Sequence, residues 1–359
     1  MQLNIAIIAE TAPARTLIPI IERLDDANIT SLTHGEGASD ILSLYSDEVI
    51  QIGKSRRNTN KKRSNALIAT LVMKDTYKTY RELKKRDIDF VLTCGNSGDV
   101  RKGIIAAKKL KIPNIHIEQD IYNPIEVISY ADIITTPTHY AQKKLKKLYN
   151  ITNTVNIKGY PQAAYVNEVQ LINKHEIYQH YGTNNFYVLV LGGDAQAADR
   201  PKIMHQVGKL ARDIIVIPYR FNAQYVSQFI KDDNILVVDG FVDLLSLMNA
   251  SCGVIYIAGM GITIEVGVLE TPAVKIQGFH DEHQSNHLAE SLGIEIAAIE
   301  DIPLAVSRMK KPNGRLLVRN GINASWRVVD LINNFKVFKK EKGGYSSLKN
   351  IWNQRKKYR

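Results

Sequence analysis

Cysteines, tryptophans and long apolar runs are scarce in this chain of 359 residues, and each shortage excludes something. No stretch reaches the ~18 consecutive apolar residues that a membrane-spanning helix needs. Two cysteines, Cys94 and Cys252, stand far apart. They cannot form a disulfide framework or a cysteine zinc site, and they fit a reducing compartment. The opening Met1–Glu10 lacks the basic start and long apolar core of a signal peptide, and it reads as a buried strand. A cytoplasmic location is therefore expected. The helical spacing of histidines and carboxylate found in metalloproteases is also missing, so no metal and no other cofactor is expected, despite three histidines between Phe279 and His287.

What is present describes a globular protein of two ordinary domains, with 45% apolar and 23% charged residues. The net charge of +11 suggests nucleic acid until it is mapped. Lys54–Arg63 holds six positive charges and no negative one, and Phe335–Arg359 holds nine against Glu341 alone. Those two stretches together carry +14, which leaves the rest of the chain at −3. The first patch lacks interleaved aromatics, so no nucleic-acid partner is expected. Basic residues leading into the apolar Asn65–Met73, and a tail mixing lysines with Ile351 and Trp352, suit an anionic membrane surface instead.

Strand and helix patterns alternate throughout, the mark of parallel α/β architecture. Apolar runs at Leu3–Ala9, Asp89–Thr93, Asn114–Ile117 and Ile133–Thr136 predict strands, with helices over Pro13–Leu24, Ser64–Arg86, Arg101–Leu110 and His139–Leu148 between them. The rhythm restarts at Phe186–Leu191 and continues through Ile214–Pro218, Ile235–Asp239, Gly253–Ile257 and Ala273–Ile276. Two doubly wound, Rossmann-like domains facing a cleft are expected. An acceptor-side domain would span 1–160, a nucleotide-sugar domain 161–334, and a basic tail 335–359.

In such domains ligands gather at the carboxyl ends of the strands, where helix N-termini offer backbone N–H groups. Gly192-Gly193-Asp194 follows one strand, and Gly259-Met260-Gly261-Ile262-Thr263-Ile264-Glu265 follows another. The glycines allow close approach of a diphosphate, and Glu265 suits two vicinal ribose hydroxyls. After the next strand, His283, Gln284 and Asn286 are donors and acceptors of the kind that hold sugar hydroxyls. In the first half, Asn96 and Asp99 lie at one polar strand end, and Glu118, Gln119 and Asp120 at another. His116, alternating with apolar neighbours, reads as a satisfied core histidine, with the three residues after Ile117 facing the cleft.

In order and spacing these segments resemble the MurG-like family of GT-B glycosyltransferases over roughly residues 88–300. His116–Asp120, Gly159–Gln162, Gly192–Gln196, Phe241-Val242-Asp243, Gly259–Glu265 and Asp281–Asn286 each resemble one of its motifs. The resemblance implies a UDP-sugar donor, such as UDP-GlcNAc, with Phe241 and Val242 cupping the base and Glu265 holding the ribose. It implies metal-independent, inverting transfer to a lipid-linked acceptor in cell-envelope synthesis. Two departures affect mechanism: Ala9–Arg15 lacks the family's glycines and histidine, and Gln162 stands where an arginine is expected. The catalytic base is therefore argued locally, as Glu10 at the end of the first strand, with Asp99 and Asp120 as reserves. A capping role for Glu10 competes with that assignment. The alternative is a UDP-GlcNAc 2-epimerase-like enzyme, which shares the fold. Ala9–Arg15 loosely resembles its first loop, His116-Ile117-Glu118 resembles its His-x-Glu, and Glu126 would stand for its second acid. Its Ser-Gly-Gly loop is not recognisable, nor is its histidine near Pro218–Asn222.

Overall fold

The computed structural model describes residues 2–34, 36–53, 65–95, 97–120, 125–192, 195–219, 221–257, 259–278 and 284–336, with 349, 351 and 353. They form two compact units. The first runs to Tyr165 and takes up the chain again from Arg319; the second is Val166–Val318.

The first unit holds a seven-stranded parallel sheet. Its strands are β1 (Leu3–Ala9), β2 (Ala27–His34), β3 (Glu48–Gly53), β4 (Phe90–Cys94), β5 (Asn114–Ile117), β6 (Ile133–Thr136) and β7 (Thr154–Asn156), in the order β3-β2-β1-β4-β5-β6-β7. Strands β1, β4 and β5 are apolar runs because helices cover both faces of a parallel sheet. Ala6, Ile8, Leu32, Val91 and Ala107 form one of its core clusters. The pattern search missed β2 and β3. Asn28, Thr30, Ser31 and Thr33 break the apolar run of β2, and Ser31 spends its hydroxyl on Ser46 Oγ at 2.6 Å. β3 lies at the sheet edge, with Glu48 and Gln51 exposed.

A six-stranded parallel sheet makes up the second unit: β8 (Phe186–Val190), β9 (Asp213–Ile217), β10 (Ile235–Val237), β11 (Gly253–Ile257), β12 (Ala273–Ile276) and β13 (Glu295–Ala297). Their order is β10-β9-β8-β11-β12-β13. Leu189, Val216, Ile255, Ile257 and Ile276 pack with Ile203 and Met204 on one face of it.

In both sheets the winding direction reverses beside the first strand, between β1 and β4 and between β8 and β11. Loops diverge at such a point and leave a crevice at the carboxyl ends. That position belongs to Glu10 and Gly95 in the first unit, and to Gly192 and Gly259 in the second.

The return at Arg319 falls inside the segment 161–334 expected to form the second domain, and near the start of the helix Arg315–Asn333. Close backbone approach holds the returning part. A Cβ on Gly159 would strike the backbone of Asn320, and one on Gly321 would come within 2.8 Å of Ala163 Cβ. Arg327 Nη1 donates to Ile157 O at 2.6 Å. Further on, Ile351 is buried against Ile104, Ile128 and Leu145.

Candidate functional site

In the second unit, β11 leads through Gly259 into the helix Met260–Leu269. Gly259 has φ +110°, a conformation that side chains other than glycine rarely adopt, and open space where its Cβ would be. It is the N-cap but supplies no side chain, so the N–H groups of the first turn are left to a ligand or to water. Thr263 turns back and donates its hydroxyl to Gly259 O at 3.1 Å. No acidic side chain occupies the first turn, so the positive end of the helix dipole is free of a built-in anion. A diphosphate is the ligand this end suits.

The second unit also buries several polar side chains. Tyr256, Thr263, Glu265, Lys275, Gln284, Ser285 and Asn286 are all buried. Alternation along the strands explains one of them: Val274 and Ile276 face apolar clusters, so Lys275 between them faces the other way. Tyr256 on β11 is the register partner of Lys275 on β12, so both project from the same face. Lys275 Nζ donates to Asn286 Oδ1 on the helix Gln284–Ser291. Burial pushes the Tyr256 hydroxyl well above the ordinary tyrosine range, with Thr263 acting in the opposite direction, so Tyr256 is a neutral phenol here. Glu265 is 3% exposed and is thus no solvated surface acid.

Near the other end of this sheet, Phe241 is 70% exposed after β10. Val242 is half-buried, and Asp243 caps the next helix by accepting the Ser246 backbone N–H at Oδ1, 3.3 Å, while the Ser246 hydroxyl donates to Oδ2 at 2.6 Å. At the ends of β8, β11 and β12, a cavity of about 90 Å³ is lined by Ala195, Gln196, Asp199, Ile257, Gln277 and Gly278, among others.

The first unit contributes acid–base groups. Glu10 ends β1 in extended backbone and precedes the helix Thr11–Ile21, yet its side chain makes no capping hydrogen bond. His116 is fully buried between Thr93 Oγ1, 3.0 Å from Nδ1, and Glu118 Oε2, 3.1 Å from Nε2. Burial pushes the imidazole down to about 3, and the negative charge of Asp120 only partly opposes this. It is neutral at physiological pH, and both nitrogens are occupied, as expected of a core histidine. Glu118, expected to face the cleft, is 1% exposed, and its Oε1 takes the backbone N–H of Asp120 at 3.0 Å. Gln119 Nε2 donates to Thr16 Oγ1 and, at 3.2 Å, to Gln162 Oε1. Asp120, half-buried, also acts on Tyr160, whose hydroxyl is pushed up mainly by burial and next by that charge. Glu126 meets Arg101 at 3.3 Å.

Several expected residues fall outside what is described. These are Asn96, Gly193, Asp194 and His283, with all of Lys54–Arg63 and most of the tail. Asp99 is described only by its backbone, on the helix Ser97–Leu110. Gly192, Met260, Gly261, Thr263, Glu265, Gln284 and Asn286 are brought together around the ends of β8, β11 and β12. Two buried lysines were not anticipated. Besides Lys275, Lys102 pairs with Asp75 at 3.0 Å and donates to His34 Nε2. A lone lysine between apolar strand residues, as in Ala273-Val274-Lys275-Ile276, was the available signal. Among the described residues no cluster of three or more metal-ligating side chains occurs, and no helix is long and apolar enough to cross a membrane.

No family model matches the sequence, and no curated protein matches it. Solved structures do. The UDP-GlcNAc 2-epimerase of Neisseria meningitidis bound to UDP-GlcNAc superposes with a TM-score of 0.71 at 14% identity, over 93% of this chain and 100% of that one. The UDP-GlcNAc 2-epimerase of Methanocaldococcus jannaschii with UDP-GlcNAc and UDP gives 0.67 at 16%, with the same coverage. MurG of Acinetobacter baumannii gives 0.51 at 17%, again over 93% and 100%. The chain therefore has the expected GT-B-like α/β fold with two parallel sheets. The expected glycosyl transfer and the MurG-like assignment are corrected: similar structures are mainly UDP-GlcNAc 2-epimerases, with MurG the weaker match. The motifs misled because they describe how a nucleotide sugar is held, which both enzyme types must do.

Proposed function

We propose that this protein is an enzyme acting on UDP-GlcNAc or a closely related UDP-sugar, inverting the sugar at C2 without an acceptor. The observation that supports it most is the full-length similarity to UDP-GlcNAc 2-epimerases, at TM-scores well above that of MurG. The second unit would hold the nucleotide, with the Gly259 helix end at the diphosphate and Glu265 at the ribose. Inversion at one carbon breaks a C–H bond on one face and makes another on the opposite face, so acid and base groups are required. Glu10, Asp99, Asp120 and Glu126 are the first unit's candidates, and Glu10 leads because it follows β1 at the point where the winding of the sheet reverses. Glu118 is the weaker candidate, because Oε2 faces His116 and Oε1 takes the Asp120 N–H. Incubation with UDP-GlcNAc in deuterated water, followed by NMR, tests the reading. The expected product is the 2-epimer carrying deuterium at C2, formed with no acceptor present. UDP-GlcNAc that binds but stays unchanged and undeuterated would overturn it.

The expected anionic surface partner is kept as a separate proposal. The helix Asn65–Lys84 directly follows the basic stretch Lys54–Arg63 in sequence and exposes Met73 and Tyr77 beside Lys74 and Lys78. Apolar and basic groups on one exposed helix face suit an anionic lipid surface. In a flotation assay the protein should rise with phosphatidylserine vesicles and not with neutral ones; equal behaviour with both rejects the idea.

A further inference from the structure

Outside its two basic stretches the chain is slightly acidic, yet between Asp132 and Glu168 it holds five lysines and no acidic residue. Four of them stand on the helix His139–Tyr149. Ala141, Leu145 and Tyr149 form its buried side, which leaves Lys143, Lys146 and Lys147 exposed along the opposite one. None of these three lysines pairs with a carboxylate among the described residues. The helix Ser97–Leu110 links this helix to Asn65–Lys84. Its Ile104 joins Ala141, Leu145 and Ile134 of β6 in one core cluster. Its Ala106 and Ala107 join Leu83, Ala6 of β1 and Val91 of β4 in the next. Strand register, through Asn114 and His116, places Ala6, Val91 and Ile134 on the same side of the sheet. The three helices therefore cover one face of the first unit, and their outer sides form one surface. That surface exposes Met73 and Tyr77, then Ile105, then Tyr140 among the lysines. Ile351 of the tail is buried in the cluster beneath it, with Lys349 exposed two residues before.

We infer that this whole three-helix face, with the helix His139–Tyr149 as its most basic part, docks on a bilayer rich in anionic phospholipid. The inference rests on the anionic-surface proposal made for the helix Asn65–Lys84 and widens it from one helix to a plane. Charge favours such a partner: the three helices carry twelve basic and three acidic side chains, and two of the acids, Asp75 and Glu82, are already paired with cations. A second copy of the chain is disfavoured, because two such faces would set positive against positive. Nucleic acid offers a narrow rail of phosphates, whereas packed helices lie about 8–10 Å apart and spread these charges over a plane. Met73 and Ile105 have no partner on a phosphate rail, but they can enter the boundary between headgroups and acyl chains.

Co-sedimentation with mixed phosphatidylserine and phosphatidylcholine vesicles measures the partition. Each lysine near an anionic surface contributes about fivefold, so the variant Lys143→Gln/Lys146→Gln/Lys147→Gln should partition about a hundredfold more weakly than wild type. Its melting temperature should match wild type, because all three positions are exposed. The variant Lys231→Gln/Lys310→Gln/Lys311→Gln removes the same charge from exposed positions of the second unit and should stay within about twofold of wild type. Ile105→Glu should weaken partition as well. Wild type that ignores the vesicles overturns this inference and the proposal for the helix Asn65–Lys84 together. Wild type that binds, with the Lys143/Lys146/Lys147 variant unaffected, overturns this inference alone. Equal losses in the two triple variants would mean net charge in place of this face. Binding of polyuridylate but not of vesicles would make the face a nucleic-acid site. Either of those results also overturns the inference.

Discussion

UDP and UDP-GlcNAc are expected to raise the melting temperature of this protein, and Glu265→Ala is expected to abolish the shift. At a ligand concentration of 100 Kd, binding to the folded state alone contributes about 2.7 kcal/mol, or about 5–10 °C for a unit of this size. Glu265 is buried one turn behind the N-terminal end of the helix Met260–Leu269, and on the proposed reading its carboxylate accepts from both hydroxyls of a ribose. Hydrogen bonds to a charged group contribute about 1.5–3 kcal/mol each, so losing them weakens binding by about a hundredfold. The same ligand concentration then stabilises the variant by only about 0.4 kcal/mol. Glu265→Gln, which keeps the shape and one acceptor, should fall between. A panel with GDP and dTDP tests the base. Equal shifts by UDP in wild type and Glu265→Ala would remove Glu265 from the site.

Acid should destabilise the first unit well before its surface carboxylates are neutralised, through His116. The imidazole titrates near 6.5 when unfolded and is pushed down to about 3 when folded, by burial first, with Asp120 opposing. The unfolded chain thus binds a proton over a range where the folded one does not. The stability this provides is full above pH 6.5 and is lost as pH falls from 6.5 toward 3. Its slope is about 1.4 kcal/mol per pH unit, on the order of 4 kcal/mol in all. Urea midpoints at pH 7, 6, 5 and 4 would show it. His116→Gln, which can still donate to Glu118 and accept from Thr93, should lose most of that slope between pH 6 and 4. An unchanged slope would mean that other groups carry the acid sensitivity.

These two residues illustrate unequal legibility. His116 could be read from alternation, because a polar residue between Ile115 and Ile117 in a central strand must find partners inside. Glu265 could be read from its place after Gly259 and Gly261, where a helix start needs glycine and leaves its N–H groups open. The burial of Glu118 could not be read, because neighbouring positions at a strand end look alike in sequence. Only the fold turns its carboxylate back onto His116. The strands β2 and β3 escaped notice because polar or half-exposed strands have no pattern of their own and form by pairing with β1.

The sequence by itself determined the parallel α/β class, the restart at Phe186, the glycine junctions and the segregation of excess charge into two stretches. Each of these is local: continuous apolar runs, positive φ at Gly259, and like charges that cannot share a core. Only the tertiary structure decided that the chain returns to the first unit at Arg319, through the close approach of Asn320 to Gly159. It alone buried Lys275, Gln284 and Glu265 and set Lys275 against Asn286. It also placed the whole chain nearer to the epimerases than to MurG. Those outcomes depend on which distant segments pack together, and packing is set by shape and by the need to satisfy buried polar groups. No short motif carries that information.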